Sequence, residues 1–376
     1  MANGEFTYTQ KQIGSIRVLA KTLSITEEEL INLSNNSDKY YNIAKKVPKT
    51  DGTTRLTYKV SPPLRIILDK IRTRIIKNVD LPYFIMAGVP NRSYIDNALS
   101  HKNSIMVQSE DITKFFDSIK SLYVFNVFKF LFKFPPIVAD VLTKLCTFKG
   151  SLVQGSPLSG DIANLIFFEK ESKLAQLAKN LNLNYTRYYD DIYISSKEKT
   201  FHEHVGKLRS KIYGMFASIE VEPNKSPTKS RLMKSSERID VHDVTVNSHK
   251  LSPSKKRISR VRFQIDKLRK DVLANSNIEE IITLYRSTIG QVNTLKAQGS
   301  PKYKKMLNEV NEIISQINPV LAKRYARSIR KAKNQNELNK INQKVSPLKK
   351  ISPSVAGVIN AEIKTAKEKM KLRNCS

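Results

Sequence analysis

Leu183-Asn-Tyr-Thr-Arg-Tyr-Tyr-Asp-Asp-Ile-Tyr-Ile-Ser195 holds two β-forming runs joined by a pair of acids. Tyr, Thr and Ile suit a pleated strand, so Leu183–Tyr189 and Ile192–Ser195 read as a hairpin folded back at Asp190-Asp191. Adjacent carboxylates repel one another, and such a tip costs stability unless a cation or base compensates. Upstream, Ser104 to Asp111 alternates as a strand, with Ile105, Val107, Ser109 and Asp111 on one side and Asp111 at its end. Were that strand to lie beside the hairpin, three carboxylates would converge at one sheet edge. Hard oxygen ligands of this kind suit Mg²⁺, and a pair of ions ~3.5–4 Å apart is the geometry for phosphoryl transfer.

Helical patterns surround these strands. Phe116 to Phe134 has the apolar spacing of a helix, and Gly155-Ser-Pro157 breaks the chain before another from about Leu158 to Lys179. Near the start, Thr26-Glu-Glu-Glu29 has capping-box spacing. Tyr41 to Val60 reads as a hairpin turning at Asp51-Gly52, and Leu64 to Ile76 as an amphipathic helix. A small sheet backed by helices makes the expected class α+β.

The charge is lopsided. Of a net +31, the segment from Leu251 to Ser376 holds +19, from 28 basic and 9 acidic residues. So large an excess calls for an anionic partner, and phosphate backbones are the commonest. This last third reads as basic helices, for example Ile258–Leu273 and Pro319–Lys333. A hydrophobic fraction of 40% excludes a disordered basic tail as the whole protein. Cys146 and Cys375 alone cannot build a disulfide framework or a cysteine zinc site. Met1–Gln10 does not read as a signal peptide, and no apolar run is long enough to span a bilayer. The expectation is a cytoplasmic nucleic-acid-binding protein with no membrane partner.

Four segments carry a resemblance to reverse transcriptases. Tyr188-Tyr-Asp-Asp191 matches the YxDD box, and Asp111-Ile-Thr-Lys-Phe-Phe116 resembles the first-aspartate motif. Gln154-Gly-Ser-Pro157 is similar to the QGxP box, and Asn224-Lys225-Ser226 to the lysine-bearing loop. The set covers roughly Ala44 to Asn247. The resemblance implies a right-hand polymerase: N-terminal segment and fingers at 1–105, palm at 106–250, and a helical basic thumb at 251–376. It implies that Asp111, Asp190 and Asp191 bind two Mg²⁺ ions, with Mn²⁺ a possible substitute, and that Lys225 acts as general acid toward pyrophosphate. Lys229 is a second claimant at longer spacing. Arg55 and Lys46 would grip the deoxynucleoside triphosphate, Phe116 would exclude a 2′-hydroxyl, and Gln154 with the Gly155 backbone would touch the incoming nucleotide.

Within that family, Asn97-Ala-Leu-Ser-His101 matches the NAxxH motif of retron enzymes. Their VTG triplet is similar to Val244-Thr245-Val246, which departs at its third position. The resemblance implies a dedicated structured non-coding RNA, a branched RNA–DNA product (msDNA), antiphage defence and a separate effector protein, in a bacterial cytoplasm. RNA contacts are expected from Asn97, His101, Thr245, Lys323, Arg324, Arg327 and Arg330. A non-retron defence enzyme, an intron-type reverse transcriptase and a non-catalytic RNA-binding scaffold remain alternative readings.

Overall fold

Every residue of Met106–Glu110 is buried, and this strand organises the first two thirds of the chain. The structure, a computed structural model, describes residues 4–48, 54–332, 334–350 and 353–374. It contains two compact units, Met1–His242 and Asp243–Ser376.

In the first unit a two-residue strand at Thr7–Tyr8, paired with Val79–Asp80, precedes α1 (Ile16–Leu23) and α2 (Glu27–Asn35), the latter opened by the expected Thr26–Glu29 capping box. The antiparallel hairpin β1 (Tyr41–Pro48) and β2 (Thr54–Val60) follows, pairing Tyr41 with Val60; its expected turn at Asp51-Gly52 lies outside the described residues. Next come α3 (Leu64–Arg74), α4 (Tyr94–Ser100), β3 (Met106–Glu110), α5 (Phe115–Ser118), α6 (Ser121–Asn126) and α7 (Pro136–Cys146). The unit is completed by α8 (Ser159–Leu165), α9 (Glu171–Asn180), β4 (Asn184–Tyr188), β5 (Asp191–Ser196), α10 (Phe201–Ala217) and β6 (Arg231–Lys234). The palm strands form one antiparallel sheet in the order β4-β5-β3-β6. One apolar cluster runs through residues on both sides of position 105, among them Leu68, Leu142 and Ile162, so fingers and palm share a core.

Two expected long helices are broken by tertiary contacts. Between Phe116 and Phe134 the helix stops at Ile119–Lys120, where Leu152 donates to the Ile119 carbonyl and Ser121 donates to that of Gly150. Strand-like pairing with the Phe148–Leu152 segment replaces the helical bonds there, and Ile119 enters the core. Beyond it the chain resumes as α6 and a π-helical turn at Val127–Leu131.

The second break, between α8 and α9, is made by Arg187. Its guanidinium is fully buried and pairs with Glu171 through Nε–Oε1 (2.6 Å) and Nη2–Oε2 (2.7 Å). The remaining donors serve the carbonyls of Ala163 (3.2 Å) and Asn164 (2.8 Å), near the end of α8, and of Tyr189 (3.2 Å). A guanidinium has five N–H donors in a planar fork, and all five are used. Tyr185 adds its hydroxyl to Glu171 Oε1 at 2.8 Å.

The second unit contains α11 (Lys255–Leu273), α12 (Ile278–Ala297), α13 (Tyr303–Ser315), α14 (Pro319–Ala326), α15 (Gln335–Val345) and α16 (Pro353–Asn374). Val261, Ile265, Leu268, Val292, Val310 and Ile314 lie in its core. Ser254, Asn277, Asn318 and Asn334 cap α11, α12, α14 and α15 by accepting from backbone N–H groups, which sets their starts. The helix expected over Pro319–Lys333 ends at Ala326 and continues as a tighter turn to Lys331; Lys333 lies outside the described residues. Among the described residues no helix is long and apolar enough to cross a membrane.

Removing one partner of a buried ion pair leaves an uncompensated charge. Arg187→Met or Glu171→Gln is expected to lower unfolding free energy by ~3–5 kcal/mol, read by urea denaturation. A change below about 1 kcal/mol would show that the pair is not holding the palm together.

Candidate active site

The β4–β5 hairpin places two acids at its turn because Tyr188 pairs with Asp191, leaving Tyr189 and Asp190 to reverse the chain. Tyr189 adopts a left-handed φ of 54°, which a tight reversal requires. Its hydroxyl lies where side chains on Gly88 or Gly160 would stand; a Cβ there would come within 2.6 or 3.0 Å. Strand β3 is the neighbour of β5, with Glu110 opposite Ile192, so Asp111 emerges beside Asp191.

Asp111 accepts from Asn224 Nδ2 at Oδ1 (2.7 Å) and from Lys229 Nζ at Oδ2 (2.8 Å). The same ammonium stands 3.7 Å from Asp191 Oδ1. Burial and the neighbouring Asp111 raise the carboxyl of Asp190; burial and Asp190 push that of Asp191 up to about 7. Burial disfavours the Lys229 ammonium, yet Asp191 and Asp111 more than offset it, so its pKa is raised. The three acids thus form one electrostatic unit with Lys229 as its cation.

Two lysines were expected to compete for this position, with Lys225 preferred. The structure brings Lys229 to the carboxylates and leaves Lys225 exposed on the loop. The reason is a turn: Ser226 N donates to Asn224 Oδ1, and Lys229 N donates to the Ser226 carbonyl, which swings Lys229 back toward Asp111.

Around this centre, the Phe116 ring lies half-buried, its centroid 6.0 Å from that of Tyr189 and 5.7 Å from that of Phe115. Arg55 and Lys46 are exposed on β2 and β1, and the charge of Arg55 acts on Asp190. Gly155 has a φ of 106° and lies so close to β2 that a Cβ would meet the Tyr58 carbonyl oxygen at 2.2 Å. Tyr58 N also donates to the Gln154 carbonyl at 2.8 Å. The close approach that glycine allows is therefore made to the protein's own fingers strand.

Asn97 and His101, expected to face RNA, are both fully buried. They lie at i and i+4, on one face of the α4 end, and that face packs on the sheet. His101 bonds Ser195 Oγ through Nδ1 and Thr186 Oγ1 through Nε2, both at 2.7 Å, joining the two strands of the catalytic-motif hairpin. Asn97 Nδ2 lies 2.8 Å from His242 Nε2. Thr245 is likewise buried, in a short ladder opposite Ser252. In the second unit, Lys323 is half-buried and Arg324 and Arg327 are exposed. Arg330 is engaged by the Glu362 carboxylate at 2.5 and 2.7 Å.

Sequence reasoning missed Arg187, Glu171, Asn224 and His242. Arg187 sits within the quoted hairpin, and an arginine between strand-forming aromatics is a signal of a buried partner. No local pattern identified Glu171 as that partner.

Among the described residues no three His, Cys, Asp or Glu side chains stand as a ready-made metal cage. The donor set still fits hard divalent cations: its ligands are carboxylate oxygens, and Lys229 already supplies positive charge at that position.

A sheet edge bearing this acid cluster beneath a basic hairpin defines a nucleotidyl-transfer palm, and the comparisons agree. The family model described as reverse transcriptase (RNA-dependent DNA polymerase) matches residues 47–246. Retron Ec48 reverse transcriptase of Escherichia coli is 30% identical over 324 residues, covering 82% of this chain and 78% of that protein. Retron Se72 reverse transcriptase of Salmonella heidelberg (strain 579083-10) is 28% identical over 309 residues, covering 82% and 80%. The chain belongs to the retron-type reverse transcriptases and is an RNA-directed DNA polymerase. Among solved structures, apo telomerase from Candida Tropicalis aligns with a TM-score of 0.43 and 12% identity over 82% of this chain and 68% of that one.

Burial, with a smaller contribution from His242, pushes His101 down to about 3. Its neutral ring therefore contributes stability that is complete above the unfolded value near 6.5 and is lost as pH falls toward about 3. Unfolding free energy measured in urea is expected to drop below pH ~6.5 by up to ~1.4 kcal/mol per pH unit from this group. In His101→Gln that component of the slope disappears; an unchanged slope would place the acid sensitivity elsewhere.

Proposed function

We propose that this enzyme copies a dedicated structured non-coding RNA into DNA, starting from a 2′-hydroxyl of that RNA and leaving a branched RNA–DNA product. The observation that carries the reading is that Asp111 and Asp191 meet one ammonium at the sheet edge whose charge also acts on Asp190. In the proposal these carboxylates hold two Mg²⁺ ions, or Mn²⁺ in their place. Bound there, the ions would supply the positive charge that makes the primer hydroxyl more acidic and neutralises the departing pyrophosphate.

The other roles belong to the chain's own side chains. Lys229 balances the acid cluster when no divalent cation is present, and Lys225 is the proton donor toward pyrophosphate. Arg55 and Lys46, on the fingers hairpin, grip the deoxynucleoside triphosphate. Gln154 and the Gly155 backbone touch the incoming nucleotide, and the Phe116 ring excludes a ribose 2′-hydroxyl. Lys323, Arg324 and Arg327 bind RNA phosphates; Arg330 is held by Glu362 and shapes that surface. The proposed setting is antiphage defence in a bacterial cytoplasm, with a separate effector protein carrying the toxic chemistry.

Two measurements test this reading. Asp191→Asn is expected to abolish Mg²⁺-dependent primer extension while raising the melting temperature at pH 8, because it removes a carboxylate whose ionisation is opposed by burial and by Asp190. Extension near the wild-type rate would sink the assignment. Expressed with its native flanking DNA, the protein should copurify with RNA and single-stranded DNA in one covalent species, shortened but not eliminated by RNase or by DNase. Recovery of RNA alone from the active enzyme would favour a defence reverse transcriptase without a retron RNA.

A further inference from the structure

His242 has no part in the roles assigned above, yet the fold holds it with unusual care. Asn97 Nδ2 lies 2.8 Å from its Nε2; with the amide assigned in this orientation the N–H donates, Nε2 accepts, and a neutral ring carries its proton on Nδ1. Nδ1 faces Asp191 Oδ2 at 3.8 Å. The ring is flanked by Tyr188 and Tyr193, with centroids 4.7 and 5.0 Å away. The backbone of His242 also hydrogen-bonds Tyr193. Finally, His242 and Asp243 adopt left-handed φ values of 52° and 62°. Non-glycine residues held in that region cost energy, and they concentrate where a side chain must be aimed.

We propose that His242 is a positioning residue for Asp191, its Nδ1–H directed at Oδ2 and its ring fixed by Asn97. The proposal rests on the reading of Asp191 as a metal-binding carboxylate. Ligating carboxylates are themselves oriented by outer hydrogen bonds, and losing such a bond weakens metal affinity. A 3.8 Å separation is longer than a hydrogen bond, and a small rotation of the carboxylate or one bridging water closes it. The arrangement also gives the Asn97…His101 spacing an internal use. One turn of α4 ties the hairpin strands together through His101 and aims His242 through Asn97.

Two amide replacements separate aiming from packing. Asparagine places its side-chain nitrogen near the position of Nδ1 and tolerates left-handed φ; glutamine reaches the position of Nε2, where its amide oxygen accepts from Asn97, and leaves Nδ1 without a counterpart. In the full-length protein without nucleic acid, Mn²⁺ binding followed by electron paramagnetic resonance should weaken about tenfold in His242→Gln. His242→Asn should stay within about twofold of wild type. The Mg²⁺ concentration for half-maximal primer extension should move by the same factors. Asn97→Ala, which leaves His242 in place but unheld, should shift Mn²⁺ affinity in the same direction as His242→Gln, and it decides the matter if the glutamine variant does not fold. Wild-type Mn²⁺ affinity in His242→Gln and Asn97→Ala, with only the melting temperature lowered, would overturn the proposal. Unchanged Mn²⁺ binding in Asp191→Asn would overturn the assignment of Asp191 itself, and this proposal with it.

Discussion

The palm depends on a charged pair that no water reaches. Arg187 and Glu171 are both fully buried, and such a pair survives only because every guanidinium donor and both carboxylate oxygens find a partner. The consequences extend in three directions from one guanidinium. It ends α8 by taking the carbonyls of Ala163 and Asn164, anchors the start of α9 through Glu171, and holds the carbonyl of Tyr189 at the hairpin turn. Main-chain bonds from Met86 to the Arg187 carbonyl, and from Arg187 to that of Phe84, carry the preceding loop along the same strand. The turn that bears Asp190 is thus held from behind by a rigid support.

In front of that support the electrostatics oppose folding. Asp190 is shifted toward its protonated form by burial and by Asp111, Asp191 by burial and by Asp190, and Lys229 offsets only part of this. Such tension is typical of sites shaped for a ligand, since a purely structural edge would have replaced the acids. Glu110, next to Asp111, is instead paired with the Arg209 guanidinium and hydrogen-bonded by Tyr213 and Gln108. Two neighbouring acids on one strand therefore sit in opposite environments, set by which face of the sheet each one meets.

The fingers hairpin is joined to the palm by backbone. Gly155 and the Gln154 carbonyl meet Tyr58, while Tyr41 and Tyr58 both pack on Phe148. An arginine placed on β2 is then carried toward the acid cluster by main-chain geometry, whatever its own side chain touches. The Asn97…His101 segment follows the same logic on the other face, bonding the sheet from within.

The acid hairpin, the strand ending in Asp111, the capping box at Thr26 and the +19 charge of the C-terminal segment were all legible in the sequence, because each depends on residues adjacent in the chain or on composition. The order of the four motifs was enough to indicate the family. Tertiary structure decided what depends on residues far apart. Lys229 reaches the carboxylates because of a turn at Ser226, while Lys225, nearer in sequence, stays exposed on the loop. Two apparent helices break where the backbone finds better partners, at Ile119 with Leu152 and beyond Asn164 with Arg187. Asn97 and His101 look like polar residues offered to a ligand until the sheet buries them; an amide and an imidazole have the same local pattern whether they bind RNA or Ser195, and only the packing of α4 selects between the two.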